Sequence, residues 1–304
     1  MKGVGLMCYA VLLGACGDPP HGSHIDATIG APDASNIDAN VPLTPDASAT
    51  DAAMPVDAQR FDGAVSIDAL NFDALVSDAD TSLDATTGAG LSMLSDDFED
   101  GSLDPAWTVF RDSIVDIEES AGALGLTPSQ MQLWFNQLQA SFVYKNVSGN
   151  FKVTATVRPR QASAPTVSPS GTFEMGGLMA RKAVAEGAGS EEDYVFVTVG
   201  YDGTEMVVET KGTNDGLSLF TTTGWGAMDA ELRLCRVGDQ FWLYKRPEGQ
   251  PAWIQATTYV RPDMPATIQL GPLVCANEAS PDLLVLFDEV TYGDVTVQAD
   301  CLVD

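Results

Sequence analysis

Reactive side chains other than carboxylates are scarce in most of this chain. Both histidines, His21 and His24, fall near the N-terminus. Without imidazole, Ser-His-Asp and Cys-His nucleophilic catalysis are excluded from everything that follows. The usual zinc sites are excluded too, since they need imidazole or four thiolates, and past residue 95 the cysteines are Cys235, Cys275 and Cys301. Carboxylates are abundant, with 43 Asp and Glu against 15 Lys and Arg. Glycoside hydrolysis needs two carboxyl groups roughly 5–5.5 Å apart for retention or roughly 6.5–9.5 Å for inversion. The nearest pair in the sequence is Glu205 and Glu209, which share one face of a strand but sit about 13 Å apart. Glu118 and Glu119 point to opposite faces of a strand. No single strand supplies a hydrolytic pair, so a catalytic site would need carboxylates from different strands.

Aromatic residues carry the better binding signal. Ring faces stack on the C–H faces of sugars, while carboxylates and amides take the hydroxyls. In Gln240–Arg246, Phe241 and Leu243 share one face, and Trp242 and Tyr244 share the other. With Phe241 in the core, Trp242 and Tyr244 face outward beside Arg233. Trp225, between Gly224 and Gly226, reads as a loop ring with little local cover. The expected ligand-binding set is therefore Trp225, Trp242, Tyr244 and Arg233; a covering loop or partner sheet is the alternative. Trp107 and Trp253 are expected to pack the core behind turns.

Two further groups have defined chemistry. Asp96, Asp97, Glu99 and Asp100, together with Asp288 and Glu289, could share a structural Ca²⁺ if the terminal strands are neighbours; otherwise they form a solvated acidic rim. No other cofactor is implied. The three late cysteines allow three pairings in an oxidising compartment. Cys235 is out of phase with the core positions Leu232 and Leu234, so the expected bond is Cys275–Cys301, with Cys235 free or surface-capped.

The elements that must position these groups are strands. Short apolar or period-two runs bounded by Gly, Pro, Asn or Asp recur at Ala140–Tyr144, Phe151–Val157, Phe173–Arg181, Tyr194–Gly200, Glu205–Lys211, Glu231–Val237, Gln240–Arg246, Thr267–Val274 and Leu283–Val290. Asp202-Gly203 and Gly238-Asp239 sit between paired runs, as hairpin turns should. A helical turn is expected only within Pro128–Gln139. Many short strands at regular spacing imply an all-β, two-sheet antiparallel sandwich over residues 96–304.

Asp97-Phe98, Leu103-Asp-Pro-x-Trp107, Val147-Ser-Gly149-x-Phe151 and Gly176-Gly-Leu-Met-x-Arg181 occur in that order. Tyr194-Val-Phe-Val, Leu232-Arg-Leu-x-Arg236-x-Gly238-x-x-Phe241, Leu270-Gly271 and Phe287-Asp288-Glu-Val290 follow. Together they resemble the concanavalin A-like lectin/glucanase superfamily, in particular the accessory jelly-roll domains appended to bacterial β-xylosidases. The resemblance covers most of 96–304 and its motifs are mainly structural. It implies a jelly roll that commonly binds carbohydrate. The Glu-x-Asp-x-(x-)Glu strand of the catalytic members does not occur here.

The N-terminal third carries an address. Lys2, the apolar run Val4–Leu13 and the small residues after it have the layout of a secretory signal. The ending Leu13-Gly-Ala-Cys16 resembles a bacterial lipobox, which implies cleavage after residue 15, lipidation of Cys16 and anchoring to the cell envelope. Gly17 in place of Asp implies the outer membrane. Residues 16–95 then repeat Asp-Ala ten times at irregular spacing, with one basic residue, Arg60. Low hydrophobicity and one-signed charge cannot offset the entropy of ordering, so this segment is expected to be a disordered tether.

The formal net charge of −28 excludes nucleic-acid binding by counterion release. A neutral or cationic poly- or oligosaccharide is the expected partner, with membrane contact through the anchor alone. The reading is a lipid-anchored, non-catalytic glycan-binding sandwich. Its rivals are a structural or adhesive envelope protein that recognises protein, and a glycoside hydrolase whose carboxylates come from separate strands.

Overall fold

A computed structural model describes residues 90–187 and 191–304. The signal sequence, Cys16 and most of the Asp-Ala segment lie outside the described residues. The strands are β1 (Thr108–Phe110), β2 (Val115–Ser120), β3 (Ala123–Pro128), β4 (Phe142–Ser148), β5 (Phe151–Arg160), β6 (Glu174–Arg181) and β7 (Tyr194–Tyr201). There follow β8 (Met206–Asn214), β9 (Leu217–Gly224), β10 (Ala230–Val237), β11 (Gln240–Arg246), β12 (Ile254–Val260), β13 (Thr267–Cys275) and β14 (Leu284–Gly293). They form two antiparallel sheets of seven strands. The front sheet runs β1-β4-β13-β6-β7-β8-β9 and the back sheet β12-β11-β10-β5-β14-β3-β2.

Period-two patterning builds the space between the sheets. Along β5, Phe151, Val153, Ala155 and Val157 are buried while Lys152, Thr154, Thr156 and Arg158 are half-buried on the other face. Val195, Val197 and Val199 of β7, Leu232 and Leu234 of β10 and Phe241 and Leu243 of β11 join the same core. Gly176 permits the close approach of the sheets, because a Cβ there would collide with Val285 of β14. The expected hairpins form: β7 turns into β8 through Asp202-Gly203, and Val237 faces Gln240 across Gly238-Asp239.

Two sequence expectations are corrected. Pro128–Gln139 forms no helical turn; its backbone pairs in isolated bridges, Gln132 with Ala276 and Phe135 with Leu138. Packing against the sandwich also begins before residue 96. A 3-10 turn at Leu91–Leu94 lays Leu91 and Leu94 on the core, and the Leu94 carbonyl accepts from Lys145 Nζ at 2.8 Å.

Candidate functional site

Outward positions on a sheet are normally wet and polar, but many of those of the front sheet are apolar and dry. Phe142 and Tyr144 of β4, Leu273 and Cys275 of β13, Met179 of β6 and Tyr194 and Phe196 of β7 gather into a second apolar cluster. The segment 129–141 covers it. Trp134 at its centre has no exposed surface, and its ring packs against Phe110, Phe142 and Tyr194 at 6.0, 6.2 and 5.6 Å. Gln132 holds the segment down: its Nε2 donates to the Ile114 carbonyl at 3.0 Å, and its Oε1 accepts from the Ser141 amide at 2.6 Å.

Charges beneath this cover are paired. Arg181 donates Nε and Nη2 to the two Glu192 oxygens at 2.8 and 2.7 Å, and Nη1 to Gln269 Oε1 at 2.8 Å. Gln139 Nε2 donates to the same Glu192 at 2.6 Å. The guanidinium lies 4.4 Å from the Phe110 ring centroid and 5.2 Å from that of Trp134. Full partnership of this kind makes a buried ion pair tolerable.

An opening lies on each side of the cover. The first is a polar groove of about 500 Å³, lined by Phe110, Arg111, Asp112, Tyr144, Gln269 and the stretch 183–186. Tyr144 is half-buried, with its ring stacked on Phe142 at 5.3 Å. Arg111 is held with φ of +56°. That left-handed backbone costs a non-glycine residue roughly 1–2 kcal/mol. Its side chain donates to the Gln139 carbonyl and pairs with Glu186 at 3.3 Å, while its own carbonyl accepts from Ser141 Oγ at 3.1 Å. Strained backbone of this sort clusters at ligand sites.

The second opening is a deeper cavity of about 210 Å³ between the cover and the β8–β9 edge. Glu209 and Lys211 of β8 reach into it, two residues apart and therefore on one face. Lys211 Nζ lies 2.9 Å from Glu209 Oε1 and donates to the Trp134 carbonyl at 2.9 Å. Burial pushes the Glu209 carboxyl up, against the pull of Lys211.

Trp225 lies in the connection from β9 to β10, and the other sequence-predicted ligand residues, Arg233, Trp242 and Tyr244, are on the back sheet. Trp242 and Tyr244 do project from its outer face, opposite in phase to Phe241 and Leu243, but they are not free. The chain after β14 folds back over them, so Trp242 is 6% exposed, Tyr244 2% and Arg233 3%. Val295 and Cys301 cap the two rings. Arg233 donates to the carbonyls of Cys301 and Val303 and to Asp304, all within 2.8–3.0 Å. Trp225 is half-buried against the main core, donates Nε1 to the Asp229 carbonyl at 2.9 Å, and has Lys245 Nζ 5.2 Å from its ring. Trp242, Tyr244 and Arg233 thus form a covered structural face and Trp225 packs against the main core, so the four do not make an open ligand platform.

The disulfide expectation is also corrected. Cys235 bonds Cys301, across a sequence separation of 66, and Cys275 is a free, buried thiol. Cys235 does face outward, but it faces the returning chain. Cys275 projects from the opposite sheet, with the sandwich between it and Cys301. Burial raises the Cys275 thiol to about 11.

The acidic expectation is met in geometry only in part. Asp96 pairs its backbone with Val290, so the two clusters are neighbours, and Ser95, Asp96, Asp97, Asp100, Asp104 and Glu289 line a shallow rim. Asp288 instead turns to Arg158, and Asp96 accepts from Trp107 Nε1 at 2.7 Å. Among the described residues no three metal-ligating side chains converge.

The C-terminal return has a pH signature. Asp304 accepts from Arg246 Nη1 at 2.8 Å, Arg233 Nη2 at 2.8 Å and Trp253 Nε1 at 3.1 Å. The Arg246 bond, foremost among these, holds its carboxyl down at about 2. A depressed carboxylate stabilises the fold above its unfolded pKa and loses that contribution as pH falls through the folded value. The return should therefore loosen between about pH 4 and pH 2, seen as a shift of the Trp253 indole N–H resonance. Asp304→Asn should flatten that transition. Half of this carboxylate faces water, so salt should weaken the effect.

Sequence reasoning missed Tyr144, Gln269, Lys211 and the rings of Phe135 and Phe220. The signal for the pair was present in β8, where charged Glu209 and Lys211 alternate with the core-facing Val208.

These features define an antiparallel β-sandwich of two seven-stranded sheets. Its solved structural neighbours include a functionally unknown protein from Saccharomyces cerevisiae, at TM-score 0.52 and 14% identity, covering 62% of this chain and 97% of that one. They also include the GH43 protein BlXynB from Bacillus licheniformis, at TM-score 0.53 and 15% identity. The xylan β-1,4-xylosidase from Bacillus halodurans aligns at TM-score 0.52 and 17% identity. For both enzymes the match covers 66% of this chain but only 39% of theirs. At such identities the likeness is one of fold. No family model and no curated protein sequence matches the chain.

Proposed function

We propose that the protein is a glycan-binding module of the cell envelope, exported and lipid-anchored through Cys16 to the outer membrane, with its sugar site in the polar groove on the front sheet. The observation that carries this reading is the pairing in one open groove of ring surface, Tyr144 and Phe110, with planar hydrogen-bonding groups, Arg111, Asp112, Glu186 and Gln269. A few fixed polar groups set into ring surface are what orient a polyhydroxyl ligand. The Arg111–Glu186 pair cancels within the groove, and Asp112 leaves it one negative charge. The rest of the folded part is acidic, which favours neutral or cationic glycans over anionic ones.

A glycan array with the intact protein, followed by calorimetry on the best ligand, tests the site. Tyr144→Ala should weaken binding at least tenfold, about 1.4 kcal/mol, while the far-UV circular dichroism stays that of a folded sandwich. Unchanged affinity would move the site elsewhere. Release of reducing sugar from the bound glycan would replace the binding module with a hydrolase. Partition of the Cys16→Ser variant out of the detergent phase tests the anchor separately.

A further inference from the structure

We propose that the second opening on the front sheet is a binding site for a neutral, ring-sized alcohol or phenol, separate from the glycan groove and independent of it. The cavity is walled by Phe135, Phe173, Phe196 and Phe220, with Met175 and Cys275 in its lining. Phe220 meets Phe135 and Phe173 edge-on at 6.2 and 6.4 Å, leaving a ring-bounded space between β9 and the cover. Its polar lining is the Glu209–Lys211 pair and the half-buried Asn277.

Glu209 is 1% exposed, yet its Oε2 has no hydrogen-bond partner. Its Oε1 is occupied by Lys211. A buried carboxylate oxygen left unsatisfied costs free energy that one donor from a ligand would recover. The ligand must therefore bring an O–H or N–H into a largely apolar space.

Its charge follows from Lys211. Rings that bound a carboxylate can hold an ammonium ion. Here, however, Lys211 Nζ already lies 4.8, 5.2 and 5.3 Å from the ring centroids of Phe196, Phe220 and Phe135. A second cation would meet that charge at close range, and an anion would meet the Glu209 carboxylate. A neutral donor fits both. An ordinary sugar does not, because Glu209 Oε2 and Asn277 can serve only some of its hydroxyls and the rest would be buried against phenyl rings. Apolar protein cavities of about 150 Å³ take up benzene, so about 210 Å³ accommodates a ring with one substituent.

The test uses the full chain labelled with ¹³C at the methionine methyls, because Met175 lines the cavity and reports occupancy directly. Met175→Leu assigns its resonance. Titration with 4-methylphenol should shift that methyl saturably, with roughly 10- to 100-fold tighter binding than toluene, the range expected for a hydrogen bond to a charged group. Benzylamine at neutral pH and methyl β-xyloside should leave it unmoved. Glu209→Gln should bring 4-methylphenol and toluene to within about threefold of each other, the charged acceptor having gone. The wild-type comparison decides the matter if that variant fails to fold. No shift with 4-methylphenol, equal binding of toluene, or a response to benzylamine overturns the proposal. A response to the xyloside also overturns it and would move the glycan site here, whereas loss of glycan binding in Tyr144→Ala leaves it untouched.

Discussion

Replacing Trp134 with alanine should cost about 3–5 kcal/mol of stability, the usual range for deleting a fully buried aromatic. The ring has no exposed surface and packs against Phe110, Phe142 and Tyr194, which come from three strands of the front sheet. For a domain of this size that corresponds to a fall in Tm of roughly 10 °C. The loss should exceed a core cavity in consequence, because Trp134 anchors the segment that lines the second opening with Leu133 and Phe135 and holds Arg111 of the first through Gln139 and Ser141. Ligand binding at each opening should weaken in the same variant. Phe135→Ala, one residue along but at the half-buried mouth of the cavity, should cost no more than about 1–2 kcal/mol. Equal losses from the two substitutions would show that segment 129–141 is a loose flap rather than a packed cover.

The sandwich was legible because its central strands alternate. β5, β7, β10, β11, β13 and, on either side of a bulge, β14 place apolar residues at every second position, and these, with β4, β6 and β8, were placed from the sequence to within a few residues. β1, β2, β9 and β12 were missed because they sit at or near sheet edges, where little needs burying: β9 shows Leu217, Leu219 and three successive threonines to solvent or to half-covered surface. β3 was missed because Gly125 and Thr127 interrupt its apolar run. Edge strands carry weak patterns for the same physical reason that they carry weak energetics.

The binding face was misread differently. Alternation correctly put Trp242 and Tyr244 on the outer side of the back sheet, but alternation says nothing about what lies on top. Their cover comes from residues far along the chain, a contact that no local pattern encodes. On the front sheet the opposite held. Trp134 and its neighbours lie in a segment without period-two repeat, whose expected helical turn does not form, so the sequence offered no strand to carry them and no reason to place them over β7. Glu209 was considered only as half of a hydrolytic pair with Glu205, at strand spacing. Its partner is Lys211, two residues away, and a cation on the same face turns a candidate catalytic carboxylate into a neutralised one. Both misreadings arise from irregular segments that lie across regular sheets.

Opening the Cys235–Cys301 bond should release the cover of the back sheet and cost about 4 kcal/mol. That figure is the loop-closure entropy of a 66-residue separation, and residual structure in the reduced chain would lower it. The cover is small and its other ties are exposed or charged: Asp304 to Arg233, Arg246 and Trp253, and Lys152 Nζ to the Val303 carbonyl at 2.5 Å. With the covalent tie gone these compete with water, and Trp242 and Tyr244 lose Val295 and Cys301 from above them. The double variant Cys235→Ala/Cys301→Ala should therefore unfold at lower urea and show faster amide exchange from residue 295 onward. The sandwich core at Phe241 and Leu243 should keep its protection. Trp242→Ala should cost stability in the oxidised protein and far less once the cover is released, so the two perturbations are coupled and their losses do not add. Cys275→Ala should leave the cross-link intact, with a Cys235–Cys301 peptide pair recovered from a non-reducing digest. A peptide joining Cys275 to either partner would instead require the C-terminal chain to reach the opposite sheet, and the covered face would lose its physical basis.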